Sequence, residues 1–74
     1  MMPRRQRAIL KLLKEKPMKL QEIWKTQSVT YMWIIMNIME LMKKNWIKKT
    51  IDKYDTRLSV YAITTEGRKV LEDD

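Results

Sequence analysis

The chain has 74 residues, 16 of them basic and 9 acidic, for a net charge of +7. Seventy-four residues build one domain, with a core that supplies only roughly 3–5 kcal/mol of net stability. Cysteine and histidine are both absent, which excludes disulfides, thiolate metal sites and the usual general base.

The charge excess points to a polyanionic partner, either nucleic acid or an anionic membrane surface. The basic N-terminal residues are not followed by a long apolar segment, because residues 9–13 are interrupted by Lys11. No signal sequence is therefore expected. The apolar run 31–42 contains Asn37 and Glu40 and is too short to span a bilayer. The expected location is the cytoplasm, with no membrane partner.

In chain order, Pro3 suits the first turn of a helix, where its missing N–H costs nothing. The first helix is predicted over residues 3–16, with Ile9, Leu12 and Leu13 inward and Leu10 at the margin; Met1 and Met2 are expected to fray. Pro17 ends it, since proline disfavours helix in the residue before it. The cluster Arg4, Arg5, Arg7, Lys11 and Lys14 reads either as a phosphate-facing group or as a solvated face. A second helix is predicted over 19–26, with Leu20, Ile23 and Trp24 apolar and a poor cap at Lys19. The polar residues Thr26, Gln27 and Ser28 form a short turn, and Val29 tucks inward. Two helices joined this way follow the helix-turn-helix plan.

The third helix, 30–45, organises the chain. Ile34, Ile38, Leu41 and Asn45 recur on one side of a 3.6-residue period. Thr30 can cap it, Asn45 can adopt the left-handed conformation that ends a helix, and Lys43 and Lys44 suit its negative end. The period then changes to 2. Residues 46–63 read as a β-hairpin, with Ile47, Lys49 and Ile51 on one side and a polar tip between the strands. Thr64 caps a last helix, 64–72, whose apolar residues are Val70 and Leu71. Gly67, the only glycine, is locally unfavourable there, which points to a close backbone contact. The fold class is α+β and mostly helical: three helices, a two-stranded wing and a C-terminal helix, the winged helix-turn-helix architecture.

The stretch 55–67, DTRLSVYAITTEG, resembles the D-x-R, five residues, Leu/Ile-Thr-x-x-Gly signature of MarR-type transcriptional regulators. Its second half also resembles PadR-type regulators. Upstream, 41–47 is similar to the family pattern L-x-x-x-G-h-h, with Asn45 in place of glycine. The resemblance implies a transcriptional regulator that binds duplex DNA, with the third helix in the major groove and the wing on the adjacent backbone or minor groove. Arg57 matches the wing-tip arginine. A narrow minor groove draws arginine in, and Asp55 could orient its guanidinium; the alternative, less favoured, is that the pair merely staples the hairpin.

The expected DNA-facing residues are Arg4, Arg5, Arg7, Lys25, Thr30, Tyr31, Trp33, Lys49, Lys53 and Arg57. The reading helix departs from the pattern. Positions 31, 32, 33, 35 and 36 carry Tyr, Met, Trp, Ile and Met, where hydrogen-bonding readers are usual. Apolar contact with thymine methyls is one alternative. A protein-binding face of Met32, Ile35, Met36 and Met39 is the other. MarR-type regulators dimerise through flanking helices for which 74 residues leave no room. A homodimer would therefore use the first helix, the wing or this apolar face. No cofactor, metal or enzymatic activity is expected: the carboxylates form no recognisable pair, and one glycine cannot build a phosphate loop.

Overall fold

The computed structural model describes residues 2–51, 54 and 59–73. The elements follow in the order α1 (Arg4–Glu15), α2 (Leu20–Lys25), α3 (Tyr31–Lys43), β1 (Ile47–Ile51), β2 (Ser59–Ile63) and α4 (Thr65–Asp73). The fold is thus α+β, four helices with an antiparallel hairpin.

Local chemistry sets most of the boundaries. Pro3 stands immediately before α1, and its carbonyl accepts the Arg7 N–H at 3.0 Å. Lys16 is extended, as the following Pro17 requires. Lys19 offers no side-chain acceptor to cap α2, but Glu22 reaches back and accepts the Lys19 N–H at 2.9 Å. This satisfies one donor at the otherwise weak start. Thr30 caps α3 by accepting the Trp33 N–H at 3.2 Å. Asn45 ends that helix region with φ of 64°, the left-handed conformation asparagine tolerates.

The core gathers Ile9, Leu10 and Leu13 of α1, Ile23 of α2, Ile34, Ile38 and Leu41 of α3, Ile47, Tyr61 and Ile63 of the hairpin, and Leu71 of α4. Two expectations are corrected here. Leu10 is completely buried whereas Leu12 is half-buried, because α1 packs against both α4 and β2, which turns its inward face toward Leu10. Met2, expected to fray, is folded onto the same cluster.

The hairpin register pairs Ile47 with Ile63, Lys49 with Tyr61 and Ile51 with Ser59. Strand β1 enters the core only at its base, since Ile47 is buried but Lys49 and Ile51 on the same side are exposed, while β2 adds Tyr61 and Ile63. The ribbon therefore projects beyond the helices. Met18 adds a one-residue third rung, exchanging backbone hydrogen bonds with Tyr61 at 2.9 and 2.7 Å. This satisfies backbone groups on the outer edge of β2.

The wing is fixed to the end of α3 by a compact junction. Asn45 Nδ2 donates to Glu66 Oε2 at 2.8 Å, and the Thr64 hydroxyl donates to the Asn45 carbonyl at 2.7 Å. Thr64 also caps α4, its oxygen accepting the Gly67 N–H at 3.0 Å.

Candidate nucleic-acid interface

Helix α3 has two contrasting faces. Ile34, Ile38 and Leu41 are buried, while Met32, Met36 and Met39 are 63%, 62% and 61% exposed. The methionines stand at i, i+4 and i+7, one line along the helix. Lys43, four residues on and also exposed, extends that line. Ile35, expected on the same apolar face, is only half-buried at its margin.

The polar residues of α3 are engaged within the molecule. The Thr30 hydroxyl oxygen is the helix cap. Asn37 donates to the Trp33 carbonyl at 2.8 Å. Its Oδ1 accepts from Gln6 Nε2 at 3.0 Å, as does Glu40 Oε2 at 3.0 Å. Gln6 is buried, so this node joins α1 to α3 inside the protein. Glu40 further pairs with Lys44 at 3.7 Å. Tyr31 stands edge-on to Trp24, with ring centroids 5.3 Å apart. Burial first, and then the Tyr31 phenol, push the Tyr61 hydroxyl above its ordinary value of 10.0. Tyr61 therefore remains a neutral hydroxyl at physiological pH.

Cations stand at both ends of this helix. Arg5 lies over the Trp33 ring, 5.7 Å from its centroid, which holds α1's basic end beside α3. Lys25 and Thr30 both line the concave turn between α2 and α3. That turn is fixed by Trp24 Nε1 donating to the Val29 carbonyl at 3.0 Å and by the Thr26 hydroxyl donating to the Ile23 carbonyl at 2.7 Å. Lys44 lies 4.8 Å from the Trp46 ring centroid. Arg4 is exposed and Arg7 half-buried. Lys49 stands exposed on β1 and shares a groove of about 250 Å³ with Lys19, Leu20, Gln21, Ser59 and Tyr61.

The expected wing-tip residues Lys53, Asp55 and Arg57 lie outside the described residues. The remaining expected DNA-facing residues fall into separate settings: Arg5 and Trp33 together, Lys25 and Thr30 at the turn, Tyr31 against Trp24, and Lys49 on the ribbon. Sequence reasoning missed the Gln6 node, because its partners lie 31 and 34 positions away. Among the described residues no three His, Cys, Asp or Glu side chains converge on a common point. Nor is any described helix long and apolar enough to cross a membrane.

A helix with a short preceding turn, an antiparallel ribbon after it and a closing helix define a winged helix-turn-helix domain. More particularly, the chain resembles MarR-type winged-helix transcriptional regulators. It matches the transcriptional regulator BldR from Sulfolobus solfataricus with a TM-score of 0.87 and 28% identity, covering 93% of this chain and 50% of that one. A point mutant of MepR from S. aureus matches with a TM-score of 0.89 and 24% identity, over 97% of this chain and 54% of that one. A second MepR mutant, solved bound to an oligodeoxyribonucleotide, matches with a TM-score of 0.86 and 24% identity, over 96% and 54%. The chain thus spans about half the length of the solved structures it matches. No family model matches it, and no curated protein matches it in sequence.

Proposed function

We propose that this chain is a transcriptional regulator that binds duplex DNA, with α3 directed at the major groove and the basic wing along the neighbouring backbone or minor groove. The observation that carries the proposal is the setting of α3: an outward face on which Met32, Met36 and Met39 are exposed among the described residues, with Arg5 at the Trp33 ring, Lys25 at the preceding turn and Lys43 at its far end. Cations so arranged suit the phosphates that border a groove, and phosphate contacts position a protein on duplex. The net charge of +7 supports the same reading, as does the likeness to MepR, one mutant of which was solved with an oligodeoxyribonucleotide. Arg4, Arg5, Arg7, Lys25, Lys49, Lys53 and Arg57 would supply the phosphate contacts, with Thr30, Tyr31 and Trp33 at the start of the reading helix. No catalytic step enters the proposal.

A fluorescence titration with duplex DNA at several salt concentrations tests it. Counterion release makes the logarithm of affinity fall linearly with the logarithm of salt, by about 0.9 per phosphate neutralised. Absence of binding at low ionic strength would refute the proposal.

The exposure of Met32, Met36 and Met39 favours a second reading, in which Met32, Ile35, Met36 and Met39 dock a protein or a second copy of the chain. Methionine is adaptable and frequent at such surfaces. Sedimentation would then reveal a concentration-dependent dimer, or a complex with a protein partner, that Met36→Lys disrupts. A monomer at high concentration, with no protein partner, removes it.

A further inference from the structure

Given the DNA-binding reading above, on which the following rests, we infer that α3 discriminates its DNA through thymine C5-methyl groups, packed against Met32, Met36 and Met39, and not by hydrogen bonds to base edges. The major groove presents acceptors on guanine, donors on cytosine, both on adenine, and on thymine an acceptor beside a methyl group. A side chain can read only what its own chemistry matches. Thr30, Asn37 and Glu40 are each committed inside the protein, to the Trp33 N–H, to Gln6 and the Trp33 carbonyl, and to Gln6 and Lys44. Tyr31 meets Trp24 through its ring and stands at the first residue of the helix, outside the central turns. What faces outward over the central turns is three thioether chains, whose sulfur is at best a weak acceptor. The feature of a base pair that such chains match is the thymine methyl.

Length agrees with this. Seven residues of helix cover roughly 10 Å, about three base-pair steps, so each methionine can meet a different step. Charge favours DNA over protein as the occupant. The methionine line continues into Lys43, Arg5 sits over Trp33 on the first turn of the same helix, and Lys25 lines the turn before it, whereas the centre of a protein interface is depleted of charge. Three side chains also fall short of the roughly 800 Å² per partner that a standard protein interface buries.

The experiment compares an alternating dA–dT duplex with the same duplex carrying dU for every dT. The two differ only by the methyl groups in the major groove and share their minor-groove pattern. Removing one buried methyl weakens binding roughly threefold to fourfold, so at least a threefold loss is expected for the dU duplex, with an unchanged salt slope. A dG–dC duplex should conversely bind tighter when its cytosines are 5-methylated. Met36→Ser should narrow the difference between the dT and dU duplexes, and the triple serine variant at positions 32, 36 and 39 should bind them alike, both keeping the salt slope. Equal, salt-dependent binding of both duplexes by the unaltered protein overturns the inference and leaves DNA binding standing. No binding of any duplex at low salt overturns both. If sedimentation then shows a dimer broken by Met36→Lys, the face belongs to protein.

Discussion

Gly67 packs against the carbonyl of Trp46 so closely that a side chain cannot fit between them. A Cβ at position 67 would overlap the Trp46 oxygen and lie 2.9 Å from Ile63 Cγ1. The obstructing oxygen is backbone, and it already accepts the Thr64 N–H at 3.0 Å, so it cannot rotate away. Gly67→Ala would gain about 1 kcal/mol of helix propensity. Overpacking costs about 1–3 kcal/mol, and a rigid backbone obstacle belongs at the upper end. A net loss of about 2 kcal/mol is expected, a large share of what so small a core provides. It should appear as a lower urea midpoint with an unchanged slope. An alanine variant as stable as the parent would show that the contact is not tight.

Asn45 turns the chain from α3 into the wing with φ of 64°. Ordinary side chains lose about 1–2 kcal/mol in that conformation. Asn45→Ala should lose that amount and also the hydrogen bond to Glu66. Asn45→Gly removes the steric strain and loses only an exposed hydrogen bond, worth about 0.5–1.5 kcal/mol. The glycine variant should therefore melt above the alanine variant. Both variants lack the amide, so the order reports the backbone alone, and the reverse order would mean that the left-handed angle carries no steric cost at position 45.

Both of these positions were legible in the sequence, because the signals are local. A lone glycine in a helix's first turn implies a close neighbour, and an asparagine at the end of an apolar period implies a left-handed turn. The buried line Ile34, Ile38 and Leu41 and the Thr30 cap were readable for the same reason. What was not readable depends on partners distant in sequence. Leu10 displaces Leu12 from the core because of where α4 and β2 lie. Met18 lies between two predicted helices, and its rung with Tyr61 depends on a strand far along the chain. The period separates Met36 from Ile38, but it does not separate Ile35, expected on the outward face, from the half-buried margin where packing leaves it. Asn37 lies near the core-facing edge of its helix, but its partner Gln6 is 31 positions away.

That node makes stability depend on pH once a carboxyl is introduced. Gln6 Nε2 donates to Asn37 Oδ1 and Glu40 Oε2, so Gln6→Glu would set a buried carboxylate against two acceptors. Leaving such groups unpaired costs about 1–3 kcal/mol, more when charged. The new carboxyl would be neutral more readily when folded, which raises its folded pKa above the unfolded value of about 4.3. Below that unfolded value both states are protonated and the charge penalty is absent. As pH rises through it, the unfolded chain ionises first and the folded state loses ground. The variant should thus be clearly less stable than the parent at neutral pH, with the gap narrowing on acidification. Gln6→Met, which carries no charge, should show a gap independent of pH. If Gln6→Glu behaves the same way, the site is not closed to water.

Two cations of the wing region, Arg57 near its expected tip and Lys49 exposed on β1, should contribute differently to DNA binding. If the ribbon follows the DNA backbone, each of them displaces a counterion, and its removal should lower the salt slope by about one. Arg57→Ala should do more than Lys49→Ala. An arginine drawn into a narrow minor groove gains from the deeper negative potential of A-tracts, so its loss should also reduce the preference for A-tract DNA over mixed sequence. Lys49→Ala should weaken both duplexes equally. The ratio of the two affinities separates a groove contact from a backbone contact, which the slope alone does not. Unchanged affinity and slope in both variants would remove the ribbon from the interface and leave α3 with Arg5, Lys25 and Lys43 to hold DNA.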